Sequence, residues 1–143
     1  MTELEARPNP EAGNIWAGWI LAHLFESWPL AVNFHPRQAV VETSVKIQNG
    51  DGWRAVDDLF QWLVSEGFVR YRQRTIDGEC FGVELTEKAL ARLNLLPASI
   101  NERKSLGQGL REAAADVGTG ATKKALADMF GQFLGGITKS YLA

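Results

Sequence analysis

The stretch VDDLFQWLVSEGFVRYRQRTIDGECFGVELTEKALARLN, residues 56–94, decides the fold of this 143-residue chain. Apolar residues recur in its first part at the spacing of one helical face, at Val56, Leu59, Phe60 and Leu63. This pattern predicts a helix over residues 52–66, with Asp51 as its cap and Gly67 as its end. Two predicted strands follow, at 68–75 and 79–85. A further helix begins after Thr86 as cap and is closed by Pro97.

The turn between the two strands sets their register. A three-residue loop over residues 76–78, with Gly78 in the left-handed bulge position, pairs Gln73 with Phe81 and Arg74 with Cys80. A two-residue loop would mix the apolar and charged faces, so we favour the longer loop. On this register the solvent face of the hairpin carries Cys80 and three arginines, Arg70, Arg72 and Arg74.

Weaker patterns precede this stretch. Residues 1–8 are polar and unpatterned, which predicts a flexible N-terminus. Asn9-Pro10-Glu11 predicts the start of a helix whose apolar pattern ends before Trp28-Pro29. Between Trp28-Pro29 and the long helix, residues 32–34 fit a short strand and residues 36–41 fit a short helix.

The predicted order over residues 9–97 is helix, short strand, short helix, long helix, two-stranded hairpin and helix. With a helix that ends in EGF and a hairpin that runs into LTEKALARL, this order resembles a winged helix-turn-helix domain. The resemblance implies a mainly α fold with a small β-hairpin wing. It also implies DNA binding, with helix 52–66 in the major groove and the wing on the backbone. The stretch GVELTEKALARLNLLP, followed by a glycine- and alanine-rich tail, is similar to a set of uncharacterised bacterial proteins, which implies no activity.

The charges agree only in part with DNA binding. The candidate nucleic-acid-binding residues are Arg54 on the long helix and Arg70, Arg72 and Arg74 on the wing. Asp57 and Asp58 lie on the exposed side of the same helix and would repel phosphates. A net charge of −2 gives no general attraction to nucleic acid. The alternative is that the arginines form an ordinary solvated face, with Glu84 as a cross-strand partner.

Two tryptophans favour a protein partner instead. Trp53 and Trp62 lie on or beside the exposed side of the long helix, flanked by Asp57 and Asp58. Large aromatic side chains of this kind are enriched at protein contacts, so these four residues form the candidate protein-contact patch. The alternative is that the tryptophans cover the tail or the 30–50 segment.

The composition changes near residue 104. Residues 98–105 are a predicted linker, and residues 106–143 are a C-terminal amphipathic helical extension, broken near 118–120. The apolar stripe of its second half consists of Leu126, Met129, Phe130, Phe133, Ile137 and Tyr141. The winged domain, a second copy of the chain, another protein or a membrane surface could cover this stripe. We favour self-association into a homo-oligomer, because the polar face has too few lysines for membrane binding.

The sequence contains no arrangement typical of catalysis. GTGATKK, residues 118–124, lacks the spacing of a phosphate-binding loop. One cysteine and two histidines without clustered spacing predict no metal site and no cofactor. His23 falls on the apolar stripe of the first helix, where a boundary role is expected. On the outer face of the wing, the thiolate of Cys80 would be favoured by the charge of Arg74.

We therefore expect a protein that is not an enzyme and that acts as a protein-interaction or self-assembly module. A DNA-binding transcriptional regulator that uses the basic wing is the alternative. No small-molecule substrate is indicated. The N-terminus has no signal-peptide pattern and no run reaches the length of a membrane span, so the expected location is the cytoplasm.

Overall fold

The computed structural model describes residues 10–47, 52–94 and 105–142, with residues 136–142 as backbone only. Within these ranges the chain is mainly helical and has one small antiparallel sheet, as the sequence predicts. The elements in chain order are α1 (Pro10–Ser27), β1 (Val32–Phe34), α2 (Gln38–Thr43), α3 (Gly52–Ser65), β2 (Val69–Arg70), β3 (Gln73–Arg74), β4 (Cys80–Leu85), α4 (Glu87–Leu93), α5 (Leu106–Ala115) and α6 (Gly120–Leu142).

Local signals account for most of the element boundaries. The Thr86 side chain caps α4 by accepting a hydrogen bond from the Ala89 N–H, as predicted. Helix α3 is followed closely by Gly67, which has a positive φ of 82° and ends the helical segment. A turn at 116–119 separates α5 from α6. The predicted cap Asp51 and the predicted stop Pro97 lie outside the described residues.

Strand β4 is the centre of the sheet, with β1 on one side and β2 and β3 on the other. The predicted hairpin register is confirmed by four pairs: Val69 with Leu85, Arg70 with Glu84, Gln73 with Phe81, and Arg74 with Cys80. The three-residue loop is also confirmed, since the Thr75 N–H donates to the Glu79 carbonyl. Gly78 has a φ of 99°, a conformation that favours glycine.

An irregularity at Gly82 changes which side chains face the core. From Cys80 to Val83 strand β4 advances three residues, while its partner β1 advances only two, from Phe34 to Val32. Gly82 absorbs the extra residue with a φ of 67°. As a result Cys80 is fully buried, and the prediction that it lies on the outer face of the wing is wrong.

Helix α1 lies in the middle of the molecule. Residues 15–22 are all buried, which means that α1 is covered on every side. It packs against α2, α3 and β4 and also against both tail helices, α5 and α6. The closest approach to α6 is at Gly18, where an added Cβ would lie 2.7 Å from the Leu126 carbonyl oxygen. The predicted C-terminal extension therefore contributes to the same core as the first helix.

Candidate interaction surface

Two arginines from different elements share one carboxylate on α3. The Nη2 atom of Arg37, just before α2, lies 3.4 Å from Oδ2 of Asp57. The Nη2 atom of Arg74 in β3 lies 3.6 Å from Oδ1 of the same side chain. Asp57 is therefore half-buried in an ion-pair cluster rather than open for a partner. The cluster joins three elements and carries one excess positive charge.

Arg74 takes this position because the wing turns it inward. Its guanidinium lies 5.3 Å from the centre of the Phe60 ring, and its side chain is only 19% exposed. Its Nε donates to the Gly78 carbonyl at 3.4 Å, and its Nη1 donates to Gln61 at 3.4 Å. The prediction that all three wing arginines lie on the solvent face is therefore wrong for Arg74. This arginine attaches the wing turn to α3.

A second contact holds the wing turn from the side of β1. Nε2 of His35 lies 2.7 Å from the Asp77 carbonyl oxygen, and its Nδ1 accepts a hydrogen bond from the Arg37 N–H. Because Nδ1 accepts, Nε2 carries the proton and donates it to Asp77. The segment that begins α2 is thus fixed to the tip of the wing.

An exposed tryptophan lies beside the ion-pair cluster. The Arg37 guanidinium stands 5.6 Å from the centre of the Trp53 ring, which is 44% exposed. Val41, one helical turn after Arg37, is also exposed. We call Arg37, Val41 and Trp53 the α2–α3 surface. Arg37 and Val41 were not among the residues predicted from the sequence, because no local pattern links α2 to Trp53.

Trp62 does not belong to the same patch as Trp53. The two lie nine residues apart on α3, and at about 100° per residue they project from opposite sides of the helix. Trp62 is 40% exposed and packs beside Phe68, with ring centres 6.3 Å apart. Asp58 is exposed on α3. The four predicted protein-contact residues are therefore not one continuous patch.

The outer face of the wing retains two arginines. Arg70 Nε lies 3.3 Å from Glu84 Oε1 across the hairpin, which is the expected cross-strand pair. Arg72 is exposed and its stem crosses Gly82, where an added Cβ would lie 2.8 Å from Arg72 Cδ. Arg54 is exposed on α3. Three of the four predicted nucleic-acid-binding residues are thus open to solvent, and Arg74 is not.

The apolar stripe of the tail faces the chain's own core. Leu126, Phe130 and Phe133 are buried, and Met129 is partly buried against them. Phe133 contacts Phe68 edge-to-face at 4.8 Å, and the Arg92 guanidinium lies over both rings. The side chains of the two remaining predicted residues, Ile137 and Tyr141, lie outside the described part. In the described part, the first helix and its neighbours cover the stripe that we expected a second copy to cover.

Cys80 has the environment of an unreactive thiol. Burial raises its pKa to about 11, although the nearby Arg74 guanidinium acts in the opposite direction. The expectation of a stabilised thiolate at this position is therefore wrong. The described side chains contain no cluster of three or more metal-ligating groups.

Among the described residues, no helix has both the length and the apolar character needed to cross a membrane. No known family model, no curated protein and no solved structure matches the chain.

Proposed function

We propose that this protein is a winged helix-turn-helix module that binds another protein through the α2–α3 surface. The winged-helix assignment is supported by the order α1, β1, α2, α3 and then the hairpin, and by a sheet in which β1 pairs with β4. Fold alone does not assign a function, since this architecture serves both nucleic-acid and protein contacts. The choice between them depends on the surface chemistry.

The observation that carries the proposal is the exposed Trp53 ring beneath a fixed guanidinium. Tryptophan and arginine are the side chains that contribute most often to binding energy at protein interfaces. Here Asp57 orients Arg37 before any partner arrives, so less side-chain freedom is lost on binding. Val41, one helical turn after Arg37, adds an exposed aliphatic side chain.

The charges around this surface support a protein partner over DNA. Asp58 is exposed on α3, and Asp57 offsets one of its two arginines. On the wing, Glu84 offsets Arg70 in the same way. Affinity for DNA comes mainly from neutralising phosphates, and the carboxylates of Asp57, Asp58 and Glu84 cancel part of the positive charge that would do so.

The test compares two tryptophans of similar exposure on one helix. Partners are captured from an extract of the source cells with three tagged proteins: the intact chain, Trp53→Ala and Trp62→Ala. Light scattering of the purified protein shows whether it binds a second copy of itself. Thermal unfolding shows whether each variant is folded. Loss of a partner with Trp53→Ala and its retention with Trp62→Ala is the expected result. Equal capture by the two folded variants would contradict the proposal.

A DNA-binding regulator is the second candidate, favoured by one observation. Arg54, Arg70 and Arg72 remain exposed on α3 and the wing, where a winged helix meets the duplex. Fluorescence anisotropy with random duplex DNA over a salt series tests this candidate. Binding that weakens steeply with salt and disappears in an Arg70→Ala/Arg72→Ala variant, but not in a Lys123→Ala/Lys124→Ala control, would place DNA first.

A further inference from the structure

The ring of His35 connects the beginning of α2 with the tip of the wing. Its Nδ1 accepts a hydrogen bond from the Arg37 N–H at 3.2 Å. Its Nε2 donates one, at 2.7 Å, to the carbonyl oxygen of Asp77, which lies 42 positions further along the chain. Arg37 immediately precedes α2 and belongs to the α2–α3 surface. One side chain therefore joins that surface to the wing.

The wing tip has room for this ring only because residue 78 is glycine. Gly78 is buried, and an added Cβ there would lie 2.8 Å from His35 Nε2 and 3.8 Å from Arg74 Nη2. Its φ of 99° favours glycine for a separate reason. The Arg74 Nε also donates to the Gly78 carbonyl at 3.4 Å, so the tip is held by two side chains. The contact between His35 and the wing is therefore part of a packed arrangement.

The same ring stabilises the beginning of α2. Arg37 is the N-cap residue of this helix, and its own side chain makes no capping hydrogen bond. The Gln38 and Ala39 N–H groups donate to the carbonyls of His35 and Pro36. The Arg37 N–H donates to the His35 ring instead, so the imidazole provides the acceptor at this position.

Only a neutral imidazole can make both contacts. Imidazole is the side-chain group that gains or loses a proton between about pH 5 and 8. A protonated ring donates from both nitrogens and accepts at neither. Two donors, His35 Nδ1 and the Arg37 N–H, would then face each other at 3.2 Å. The bond from Nε2 to the Asp77 carbonyl would become charge-assisted and stronger.

The charged groups around this contact come from every neighbouring element. Arg37 precedes α2, Arg74 lies in β3, Asp77 lies in the wing turn, and Asp57 on α3 pairs with both arginines. These two positive and two negative charges cancel. A proton on His35 therefore adds a positive charge that the group does not compensate, beside two guanidinium groups that repel it.

The carboxylate of Asp77 favours the wing side of the ring. A hydrogen bond from the Thr75 hydroxyl lowers the pKa of Asp77 from the ordinary value of 3.8, and a charge on His35 acts in the same direction. Asp77 is therefore ionised throughout the range in which imidazole titrates. It attracts the protonated ring and holds it at the wing.

We propose that His35 is a proton-controlled link between the wing and the α2–α3 surface. The neutral ring bridges Arg37 and Asp77, whereas the protonated ring stays on Asp77 and releases the beginning of α2. Because Arg37 stands over the Trp53 ring, this release changes the α2–α3 surface in mild acid. The inference goes beyond the proposed function, since neither the link nor its test requires a partner.

Solution NMR of the intact protein between pH 7.5 and 5 tests the link. At pH 7.5 the ring-nitrogen spectrum is expected to show the single ring proton of His35 on Nε2. As the ring gains its second proton, the Arg37 N–H loses its acceptor. Its protection against solvent exchange, corrected for the intrinsic pH dependence, is expected to fall at least about fivefold. The Arg37 and Asp77 amide signals are expected to shift over the same pH interval as the ring.

Two glutamine variants separate this histidine from the other one. His35→Gln is expected to abolish the pH response of the Arg37 and Asp77 amides, whereas His23→Gln on α1 is the matched control and is expected to retain it. Thermal unfolding at pH 7.5 shows whether each variant is folded.

Three results would overturn the proposal. They are a ring proton on Nδ1 at pH 7.5, unchanged protection of the Arg37 N–H when the His35 ring is protonated, and the same pH response in folded His35→Gln. If His35→Gln does not fold, the ring and amide measurements on the intact protein and on His23→Gln still decide the outcome.

Discussion

Arg74 and Asp57 face each other across the junction of the wing and α3, with 3.6 Å between Arg74 Nη2 and Asp57 Oδ1. Arg37, just before α2, approaches the same carboxylate, so Asp57 forms ion pairs with both arginines. Removing Asp57 would leave the two guanidinium groups facing each other without compensation.

Asp57→Asn is therefore expected to lower the free energy of unfolding by about 1–2 kcal/mol. Urea denaturation measures the change. Asp58→Asn, at the exposed neighbouring position, is the control and is expected to stay within about 0.5 kcal/mol of the original protein. Equal effects of the two substitutions would show that the cluster contributes no specific stability.

Gly82→Ala is expected to destabilise the wing. Alanine is strained at a φ of 67°, and its Cβ would lie 2.8 Å from Arg72 Cδ. The expected loss is about 1–3 kcal/mol. Gly131→Ala is the control, since nothing lies within 4 Å of the added Cβ on α6 and the change should stabilise by about 0.5–1 kcal/mol. In thermal unfolding, the midpoint temperature is expected to fall for Gly82→Ala and to rise for Gly131→Ala.

Gly18→Ala tests the packing of the tail on the first helix. Its Cβ would meet the backbone of Leu126 at 2.7 Å, and backbone cannot move aside as a flexible side chain can. We expect a loss of about 1–3 kcal/mol in urea denaturation. Gly13→Ala on the same helix has open space and is expected to be neutral or stabilising. If both substitutions are tolerated, α6 does not pack closely on α1 in solution.

Cys80 is expected to resist alkylation in the folded protein. A pKa of about 11 in place of 9.0 lowers the thiolate fraction at pH 8 about a hundredfold, and burial restricts access further. Iodoacetamide labelling followed by mass spectrometry should therefore be at least about a hundredfold slower in buffer than in urea. Rapid labelling of the folded chain would contradict both the burial and the raised pKa.

The stability of the protein is expected to fall in mild acid because of His23. Burial lowers its folded-state pKa below the ordinary value of 6.5, so below pH 6.5 the unfolded chain binds a proton that the folded chain does not. The free energy of unfolding therefore decreases as the pH falls from 6.5 towards the folded-state pKa. In His23→Gln this part of the pH dependence should disappear. An unchanged slope between pH 7 and 5 would contradict the assignment.

Local patterns predicted most of the secondary structure. Each of the signals used acts over only a few residues: the apolar spacing around Phe60, the Thr86 cap and the three-residue loop at Gly78. Short stretches of sequence are therefore enough to predict these elements. The hairpin register followed from the same signals. For this reason α3, α4, the wing and the break before α6 appear where they were expected.

The candidate site was less predictable because it depends on contacts between distant residues. Nothing near Arg37 indicates that it meets Trp53 and Asp57, which lie sixteen and twenty positions further along the chain. The inward turn of Arg74 depends on the irregularity at Gly82, which a simple alternation of faces does not include. The apolar stripe of α6 indicates that some surface covers it, but its sequence does not indicate which one. The structure shows that α1 covers it, through contacts between residues far apart in the chain.

The position of α1 also affects the order in which the chain completes its folding. This helix is the first element described, yet its burial depends on α6, whose Leu126 lies against Gly18. During synthesis, α1 therefore keeps an apolar flank in water until more than a hundred further residues have been added. Contacts so distant in sequence slow folding, and the apolar flank that they leave exposed in the meantime favours association with other chains.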